Sequence, residues 1–198
     1  MSDPLDVVIV GAGQAGLATS HELVERGVSH VVLEKGRVGQ TWRDRWESFC
    51  LVTPNWSMQL PAQPYDGDDP DAFDSRDEIV GFLERYALRN DTPLRDGIEV
   101  TALDPIKEGG FRLHTSAGDI EATRVVLSAG AYQKPYRPDE AGSLPEDLLQ
   151  IDVEAYTEPS GLPDGPALVV GSGQSGCQIA EELHESGREV FLACGRAP

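Results

Sequence analysis

The feature that most constrains this chain is a glycine-rich turn that directly follows a short run of β-branched residues. The run is Asp6–Val10, and residues 11–16 after it read Gly-Ala-Gly-Gln-Ala-Gly. Buried parallel strands have this continuous apolar composition. A helix is predicted from Gln14 to about Arg26, because apolar positions recur on one side before Gly27. The order strand, glycine turn, helix predicts the start of a Rossmann-type unit.

The glycines of this turn have separate roles in binding a dinucleotide. Gly11 permits the tight turn, Gly13 lets the backbone approach a pyrophosphate, and Gly16 lets helix and strand pack closely. A second predicted strand, residues 30–33, ends at Glu34, whose carboxylate can bind a ribose diol and would repel a 2′-phosphate. The N–H groups at the helix start favour the phosphates. The residues predicted to contact the cofactor are Gly11, Gly13, Gln14, Ala15, Gly16, Glu34 and Lys35.

The same pattern recurs near the end of the sequence. The strand-like run Ala167–Val170 is followed by Gly-Ser-Gly-Gln-Ser-Gly at residues 171–176 and by a helix pattern. Ala193 holds the position of Glu34, and Arg196 lies just beyond it. Replacing an acid by arginine is the change expected for a 2′-phosphate, which a guanidinium binds through two hydrogen bonds. The repeat predicts an NADPH site, in preference to NADH, formed by Gly171, Gly173, Gln174, Ser175, Gly176 and Arg196.

Between the two turns the sequence predicts an irregular stretch, one helix and a β-meander. Residues 36–74 are interrupted by prolines, and a capping box at residues 75–78 opens a helix that runs to about Arg89. Three strand-like runs follow, separated by turns that contain glycine. These runs are Ile98 to Leu103, Phe111 to Thr115 and Ile120 to Leu127.

The predicted fold class is therefore α/β. A Rossmann-like FAD-binding domain with a β-meander insert is expected over residues 1–140, and a crossing rich in proline, glycine and acids over 141–165. Residues 166–198 would begin a second Rossmann-like domain, for NADPH. Two strands cannot bury the faces of a parallel sheet. We expect the chain to be a fragment of a longer one, a degraded gene product, or a chain completed by a partner.

Charge and cysteine usage exclude several classes of protein. The net charge of −18 disfavours nucleic acid and anionic membranes as partners. The sequence has no apolar run near the roughly 20 residues of a membrane helix and no signal-peptide pattern, so we expect a cytoplasmic location. Cys50, Cys177 and Cys194 form neither a CxxC pair nor a metal-ligand spacing, so no metal is predicted. A dithiol relay, as in thioredoxin and glutathione reductases, is excluded, and electrons would leave to oxygen or a small acceptor.

The motif order resembles that of flavin-dependent monooxygenases of the flavin-containing monooxygenase type, a plan shared with Baeyer–Villiger enzymes. The matching motifs are the two glycine turns, Glu34, the stretch Gly39-Gln40-Thr41-Trp42 and the stretch 128–132. The resemblance implies FAD in the first site and NADPH in the second, with O₂ and a small organic molecule as substrates. It also implies further FAD contacts, at Gln40, Thr41, Trp42, Arg45, Val100 (through its backbone, to the adenine), Ala129 and Gly130.

Within the stretch that matches the family's GGxW, Gln40 replaces the second glycine. Three further departures from the family pattern stand out. The first is Asp152-Val153, which stands where the family has a His-Ser pair, although Tyr156 and Pro159 remain. Asn55 lies near the place of a catalytic asparagine in some members, but its loose spacing favours a loop-capping role. The third departure is length. No catalytic residue is assigned from the sequence.

The sequence predicts an FAD- and NADPH-dependent oxidoreductase, with a monooxygenase as the first hypothesis. An NADPH-linked flavin reductase or oxidase without oxygen insertion and a non-catalytic nucleotide-binding protein are the alternatives. The aromatic residues that could line a substrate pocket are Trp42, Trp46, Phe49 and Trp56, for which a core or loop-anchoring role is favoured. A homo-oligomer is left open.

Overall fold

The computed structural model describes residues 5–131 and 134–195. The chain divides into two compact units, one of Met1–Arg43 with Thr53–Gln133 and one of Asp44–Val52 with Lys134–Pro198. Each unit contains one of the two glycine turns. The segment 44–52 groups with the second unit, which the sequence did not indicate. The predicted domain limits at residues 140 and 166 stay a prediction.

The first unit is built on one mixed sheet with the strand order β3-β2-β1-β6-β5-β4. The strands β1, β2, β3 and β6 pair in parallel, while β4, β5 and β6 form an antiparallel meander. Because β6 pairs with both β1 and β5, the predicted meander continues the Rossmann sheet. The elements are β1 Leu5–Val10, α1 Gln14–Glu25, β2 His30–Leu33, α2 Gln40–Arg43, α3 Arg76–Arg89, β3 Leu94–Arg95, β4 Val100–Pro105, β5 Phe111–Thr115 and β6 Ile120–Leu127.

The core of this unit follows from the apolar patterns of its elements. Val8 and Ile9 are fully buried in β1, which has a parallel partner on each side. The predicted helix α3 begins with the expected capping box, in which the Ser75 hydroxyl accepts a hydrogen bond from the Glu78 N–H and the Glu78 carboxylate accepts one from the Ser75 N–H. These bonds lower the pKa of Glu78. The predicted fold class, α/β with a Rossmann-type sheet, is confirmed.

The loop between α2 and α3 is held together by Asn55, at the start of a 3-10 helix, Asn55–Ser57. The buried Asn55 side chain donates to the Tyr65 hydroxyl (3.2 Å) and to the Asp69 carbonyl (3.0 Å), and it accepts from the Asp74 N–H. The favoured loop-capping role of Asn55 is therefore confirmed.

The second unit contains a two-stranded parallel sheet of β7 Ala167–Val170 and β8 Val190–Ala193, with α4 Gln174–Glu185 between the strands. Residues 134–166 form short 3-10 turns without a strand. The Arg188 guanidinium fixes the last of these turns, because it donates to the carbonyls of Pro159 (3.1 Å) and Leu162 (2.9 Å). None of the helices in the described ranges is long and apolar enough to span a membrane.

Candidate dinucleotide sites

The first glycine turn follows β1 and lies beside the ends of β2 and β6. The Gly11 N–H donates to the Leu33 carbonyl at the end of β2 (2.8 Å), and the Ser128 N–H after β6 donates to the Val10 carbonyl (2.8 Å). Gly11 has a φ of +104°, and a Cβ there would lie 2.4 Å from the Ser128 carbonyl oxygen. Only glycine fits, because a side chain would meet both backbone strain and a backbone atom. The turn is thus fixed against β6.

The other two glycines shape the start of α1. A Cβ on Gly16 would lie 1.9 Å from the Gly11 carbonyl oxygen, so Gly16 allows the helix to pack on the turn. Gly13 caps the helix with extended backbone, and a Cβ there would meet no described atom within 4 Å. The first helical N–H groups have no side-chain cap among the described residues. This helix start offers hydrogen-bond donors and a partial positive charge to an anion.

Glu34 connects the turn to the end of β2. It is buried, and its two carboxylate oxygens accept hydrogen bonds from the N–H groups of Ala12 (2.8 Å) and Gly36 (2.9 Å). Each carboxylate oxygen has more than one acceptor site, so these bonds leave capacity for ribose hydroxyls. The sequence indicated the ligand role of Glu34 but not this structural one. Lys35 is exposed next to it.

The stretch after Glu34 returns to the glycine turn. The Gly39 N–H donates to the Ala12 carbonyl (3.2 Å), and Gly39 has a φ of +69°. Helix α2 follows at once, so Gln40, Thr41 and the half-buried Trp42 lie within three residues of the bond that ties Gly39 to the glycine turn. The Gln40 side chain accepts from the Arg37 N–H (3.2 Å), a bond that the family's glycine at this position could not form.

The remaining predicted FAD contacts are placed unequally. Gly130, with a φ of +80°, and Ala129 follow β6 directly and so lie near Gly11, whose Cβ position would be 3.4 Å from the Ala129 Cα. Val100 packs against the core cluster two residues after Ile98, whose N–H donates to the Glu34 carbonyl (2.9 Å). Arg45, in contrast, belongs to the second unit. All of these cofactor contacts stay predictions.

The second glycine turn repeats the backbone of the first. Gly171 has a φ of +106°, and its N–H donates to the Ala193 carbonyl (3.0 Å). A Cβ on Gly176 would lie 1.9 Å from the Gly171 carbonyl oxygen, and one on Gly173 would meet no described atom within 4 Å. Gly173 caps α4 as Gly13 caps α1.

The specificity end of this second turn differs from that of the first. Gln174 is exposed and Ser175 is half-buried at the start of α4. Ala193 is exposed where the first unit has the buried Glu34. Arg196 lies outside the described residues, so its predicted contact with a 2′-phosphate stays a prediction.

The region that departs from the family pattern is ordered by two side-chain pairs that the sequence did not indicate. Asp152 accepts two hydrogen bonds from the Arg137 guanidinium (2.6 and 2.9 Å), which lowers the pKa of Asp152. The buried Tyr156 hydroxyl donates to the Glu182 carboxylate (2.6 Å). Burial first, and this hydrogen bond second, raise the pKa of Tyr156. Tyr156 is thus a neutral donor that joins its loop to α4.

The three cysteines are unpaired thiols. Cys50 is half-buried, while Cys177 and Cys194 are exposed. Among residues 5–131 and 134–195, no group of three or more His, Cys, Asp or Glu side chains is arranged to hold a metal ion.

Comparisons with known proteins agree with this geometry. The model of the family described as pyridine nucleotide-disulphide oxidoreductase matches residues 8–198. A relative titled uncharacterized oxidoreductase CzcO-like, from Geobacillus kaustophilus, is 40% identical over 98% of this chain and 56% of its own length. Indole-3-pyruvate monooxygenase YUCCA1 from Oryza sativa is 31% identical over 93% of this chain and 46% of its own. The chain thus spans about half the length of these curated relatives.

A solved structure has the same fold. The flavin-containing monooxygenase from Stenotrophomonas maltophilia superposes with a TM-score of 0.86 at 25% identity, over 100% of this chain and 59% of that one. Both glycine turns therefore lie within the shared fold.

Proposed function

This chain belongs to the pyridine nucleotide-disulphide oxidoreductase family, and from that membership we propose that it acts as an FAD- and NADPH-dependent oxidoreductase of the monooxygenase kind. The resemblance to flavin-containing monooxygenases that the sequence predicted is confirmed by its similar proteins. The proposal covers the activity, the cofactors and the substrates, because the chain spans only part of the length of its relatives.

One observation carries the proposal: the chain has two glycine turns of matching backbone, each opening a helix without a side-chain cap among the described residues. At Gly13 and at Gly173 a Cβ would project into open space, so a pyrophosphate could approach the backbone there. Two turns support two dinucleotides. The difference between Glu34 and Ala193 supports different ribose chemistry at the two sites.

In the first site the residues of this chain would bind and orient FAD. The N–H groups at the start of α1 would bind the pyrophosphate, and Glu34 would accept from the ribose hydroxyls. The stretch from Gly39 to Trp42, fixed to the Ala12 carbonyl, would lie beside the flavin. The two bound cofactors would supply the redox chemistry, by which the electrons of NADPH reach O₂ through the flavin, while the residues of this chain bind and orient them.

In the second site the start of α4 would bind the NADPH pyrophosphate. Ala193 is small and uncharged at the position that corresponds to Glu34 of the first site, where a carboxylate would repel a 2′-phosphate. Arg196 would bind that phosphate. Replacing Arg196 with Ala should weaken NADPH by about tenfold while leaving NADH nearly unchanged, because one charge-assisted contact is lost. Equal losses for both nucleotides in a binding titration would contradict this assignment.

The substrate is proposed to be a small organic molecule, with O₂ as the second substrate. Trp46 and Phe49 are buried and stack edge to face, so the favoured core role of both is confirmed. Trp56, in contrast, is 54% exposed and is the aromatic side chain of this group most available to a ligand. The cytoplasmic location, the lack of nucleic-acid and membrane partners, and a possible homo-oligomer stay predictions.

A second candidate is an NADPH-linked flavin reductase or oxidase that inserts no oxygen. It is favoured by Asp152, which pairs with Arg137 at the place where the oxygenase pattern has His-Ser. The two candidates differ in product. Oxygen recovered in an organic product supports the monooxygenase, whereas hydrogen peroxide alone, or only a reduced acceptor, supports the reductase or oxidase.

The test of the proposal is to add NADPH anaerobically to the FAD-reconstituted chain and to follow the visible flavin absorbance. We expect bleaching that is faster with NADPH than with NADH. A purified protein that is colourless and takes up no FAD would contradict the proposal and favour a non-catalytic nucleotide-binding protein.

A further inference from the structure

The segment 44–52 belongs to the second unit, although residues of the first unit flank it on both sides in the sequence. It follows directly on α2, the predicted flavin-facing helix. Gly39, just before α2, donates its N–H to the Ala12 carbonyl of the first glycine turn. The segment 44–52 is thus joined to α2 by the peptide bond between Arg43 and Asp44.

An aromatic cluster anchors the first half of this segment. Trp46 is 1% exposed, and its ring lies 5.1 Å from that of Phe49 and 6.4 Å from that of Tyr156. The Glu47 N–H donates to the Thr157 carbonyl (3.0 Å). These contacts fix the segment to residues 156–157 within the second unit.

Gln178 anchors the other end. Its side-chain N–H₂ donates to the Cys50 carbonyl (2.9 Å) and lies 3.5 Å from the Cys50 sulfur. Gln178 is one helical turn beyond Gln174, the first residue of α4. The residue that holds Cys50 thus projects from the helix whose first turn is proposed to bind NADPH.

Two polar atoms of these anchors are left without partners in the part of the chain that the structure describes. The Gln178 Oε1 and the Trp46 Nε1 are buried and have no hydrogen-bond partner among the described residues. Buried polar groups without partners cost free energy. The anchored arrangement therefore combines favourable aromatic packing with an unfavourable contribution from two unpaired polar atoms.

Resting on the function proposed above, we propose that Gln178 is a positioning residue that couples the two cofactor sites. The segment 44–52 would have a docked arrangement, with the bonds from Gln178 to Cys50 formed, and an undocked one, with these bonds broken. A dinucleotide that orders the first turn of α4 would stabilise the docked arrangement and, through α2, the first site. Coupling of this kind is reciprocal, so each cofactor would raise the affinity for the other.

The main test uses two variants of the full chain, Gln178→Glu and Gln178→Leu, neither of which can donate to the Cys50 carbonyl. The FAD affinity is measured with and without saturating NADP⁺. In the unmodified chain we expect NADP⁺ to tighten FAD by about fivefold or more. In both variants the ratio should fall to near one, while the affinity for each cofactor alone stays within about threefold. Glu181→Gln, at an exposed position on the same helix, should keep the full ratio.

Alkylation by iodoacetamide, read for each cysteine by mass spectrometry, provides a readout of docking that needs no activity. NADP⁺ should slow labelling of Cys50 in the unmodified chain, and both Gln178 variants should speed it. Cys194 lies next to Ala193 in the proposed NADPH site, so it serves as a control only without NADP⁺, where its labelling should be the same in the unmodified chain and in both variants. Full coupling in the variants, or Cys50 labelling that is independent of Gln178, would overturn the inference and leave the proposed function intact. Two cofactors that bind without any coupling would overturn it as well. A chain that binds neither cofactor would remove the proposed function and this inference with it.

Discussion

The two glycine turns have the same backbone but very different surroundings. Gly11 and Gly171 share a φ near +105° (+104° and +106°), yet a Cβ on Gly11 would lie 2.4 Å from the Ser128 carbonyl oxygen, whereas one on Gly171 would meet no described atom within 4 Å. The turn itself is therefore set by local sequence, because six residues suffice to reproduce it. What surrounds the turn is set by the strands that pair beside it.

The strands that lead into the turns show the same contrast. Val8 and Ile9 of β1 are 0% exposed between β2 and β6, whereas Leu168 and Val170 of β7 are 59% and 65% exposed. Burial of apolar side chains on both faces is what normally stabilises a parallel strand. The first turn is thus held between β2 and β6, and the second contacts mainly its own helix and β8.

The largest expected effect comes from the last glycine of each turn motif, which lies in the first turn of the following helix. Gly16→Ala should destabilise the first unit by about 3 kcal/mol or more, because the added methyl would overlap the Gly11 carbonyl oxygen. Gly11 has little room to move, since it follows a strand that is paired on both sides. Gly176→Ala creates the same overlap, but β7 can yield, so we expect about 1 kcal/mol. Hydrogen exchange by mass spectrometry, read on β1 and β7 peptides, measures both. Equal losses would show that the surroundings do not matter.

The next pair isolates the contribution of β6. Gly11→Ala and Gly171→Ala impose the same backbone strain, but only the first adds an overlap with Ser128. We expect the first to cost about 1–3 kcal/mol more than the second. Hydrogen exchange by mass spectrometry measures this difference as well. In each variant, the unit that carries no substitution serves as the internal control. A smaller loss at Gly11 than at Gly171 would contradict the described contact.

A third pair exchanges the residues at the ribose position. Glu34→Ala should cost about 1–3 kcal/mol of stability, because the N–H groups of Ala12 and Gly36 lose their partners, and it should also weaken FAD. Ala193→Glu should instead weaken NADPH relative to NADH by about tenfold through repulsion of the 2′-phosphate, with little effect on stability. Denaturation and nucleotide titrations separate the two effects. A large stability loss at Ala193 would break the comparison.

The smallest expected effects are two opposite pH dependences. His114 in the meander contacts the carboxylates of Asp104 (3.0 Å) and Asp119 (2.9 Å), and these bonds raise the pKa of His114. Its stabilising contribution is therefore complete below the ordinary value of 6.5 and is lost as the pH rises through the higher folded-state value. The bond from Arg137 lowers the pKa of Asp152, so that contribution is complete above 3.8 and is lost as the pH falls through the lower folded-state value.

Exchange rates of the meander and of the 137–152 region, followed across pH, check both signs. His114→Asn should remove the high-pH loss in the first unit only. Because both side chains are partly exposed to solvent, screening keeps the effects small. Identical pH profiles in the two regions would contradict these pairings.

Much of the fold could be predicted because its signals are local. The glycine turns, the capping box at Ser75 and the strands Phe111–Thr115 and Ile120–Leu127 each depend on a few neighbouring residues. One strand and one strand pairing could not be found in this way. Strand β3 has only two residues, too few for an alternating pattern, and the parallel pairing of β6 with β1 joins residues more than a hundred positions apart in the sequence.

The same reason explains what the sequence did not indicate in the candidate site. The position of Glu34 marked it as a ribose ligand, but its bonds to Ala12 and Gly36 depend on how the turn folds back. The segment 44–52 contains aromatic residues that are equally compatible with either unit. Its place is decided by packing on Tyr156, which no local pattern encodes.

The most direct test of the central claim, that the two turns bind two different dinucleotides, is a crossed pair of substitutions at the helix starts. Gly13→Val and Gly173→Val place a side chain where a Cβ meets no described atom within 4 Å and where the backbone is extended, so the fold should persist. Equilibrium binding to the full chain should show that the first variant loses FAD and keeps NADP⁺, and that the second does the reverse. Variants that keep both cofactors, or a single substitution that removes both, would contradict the account.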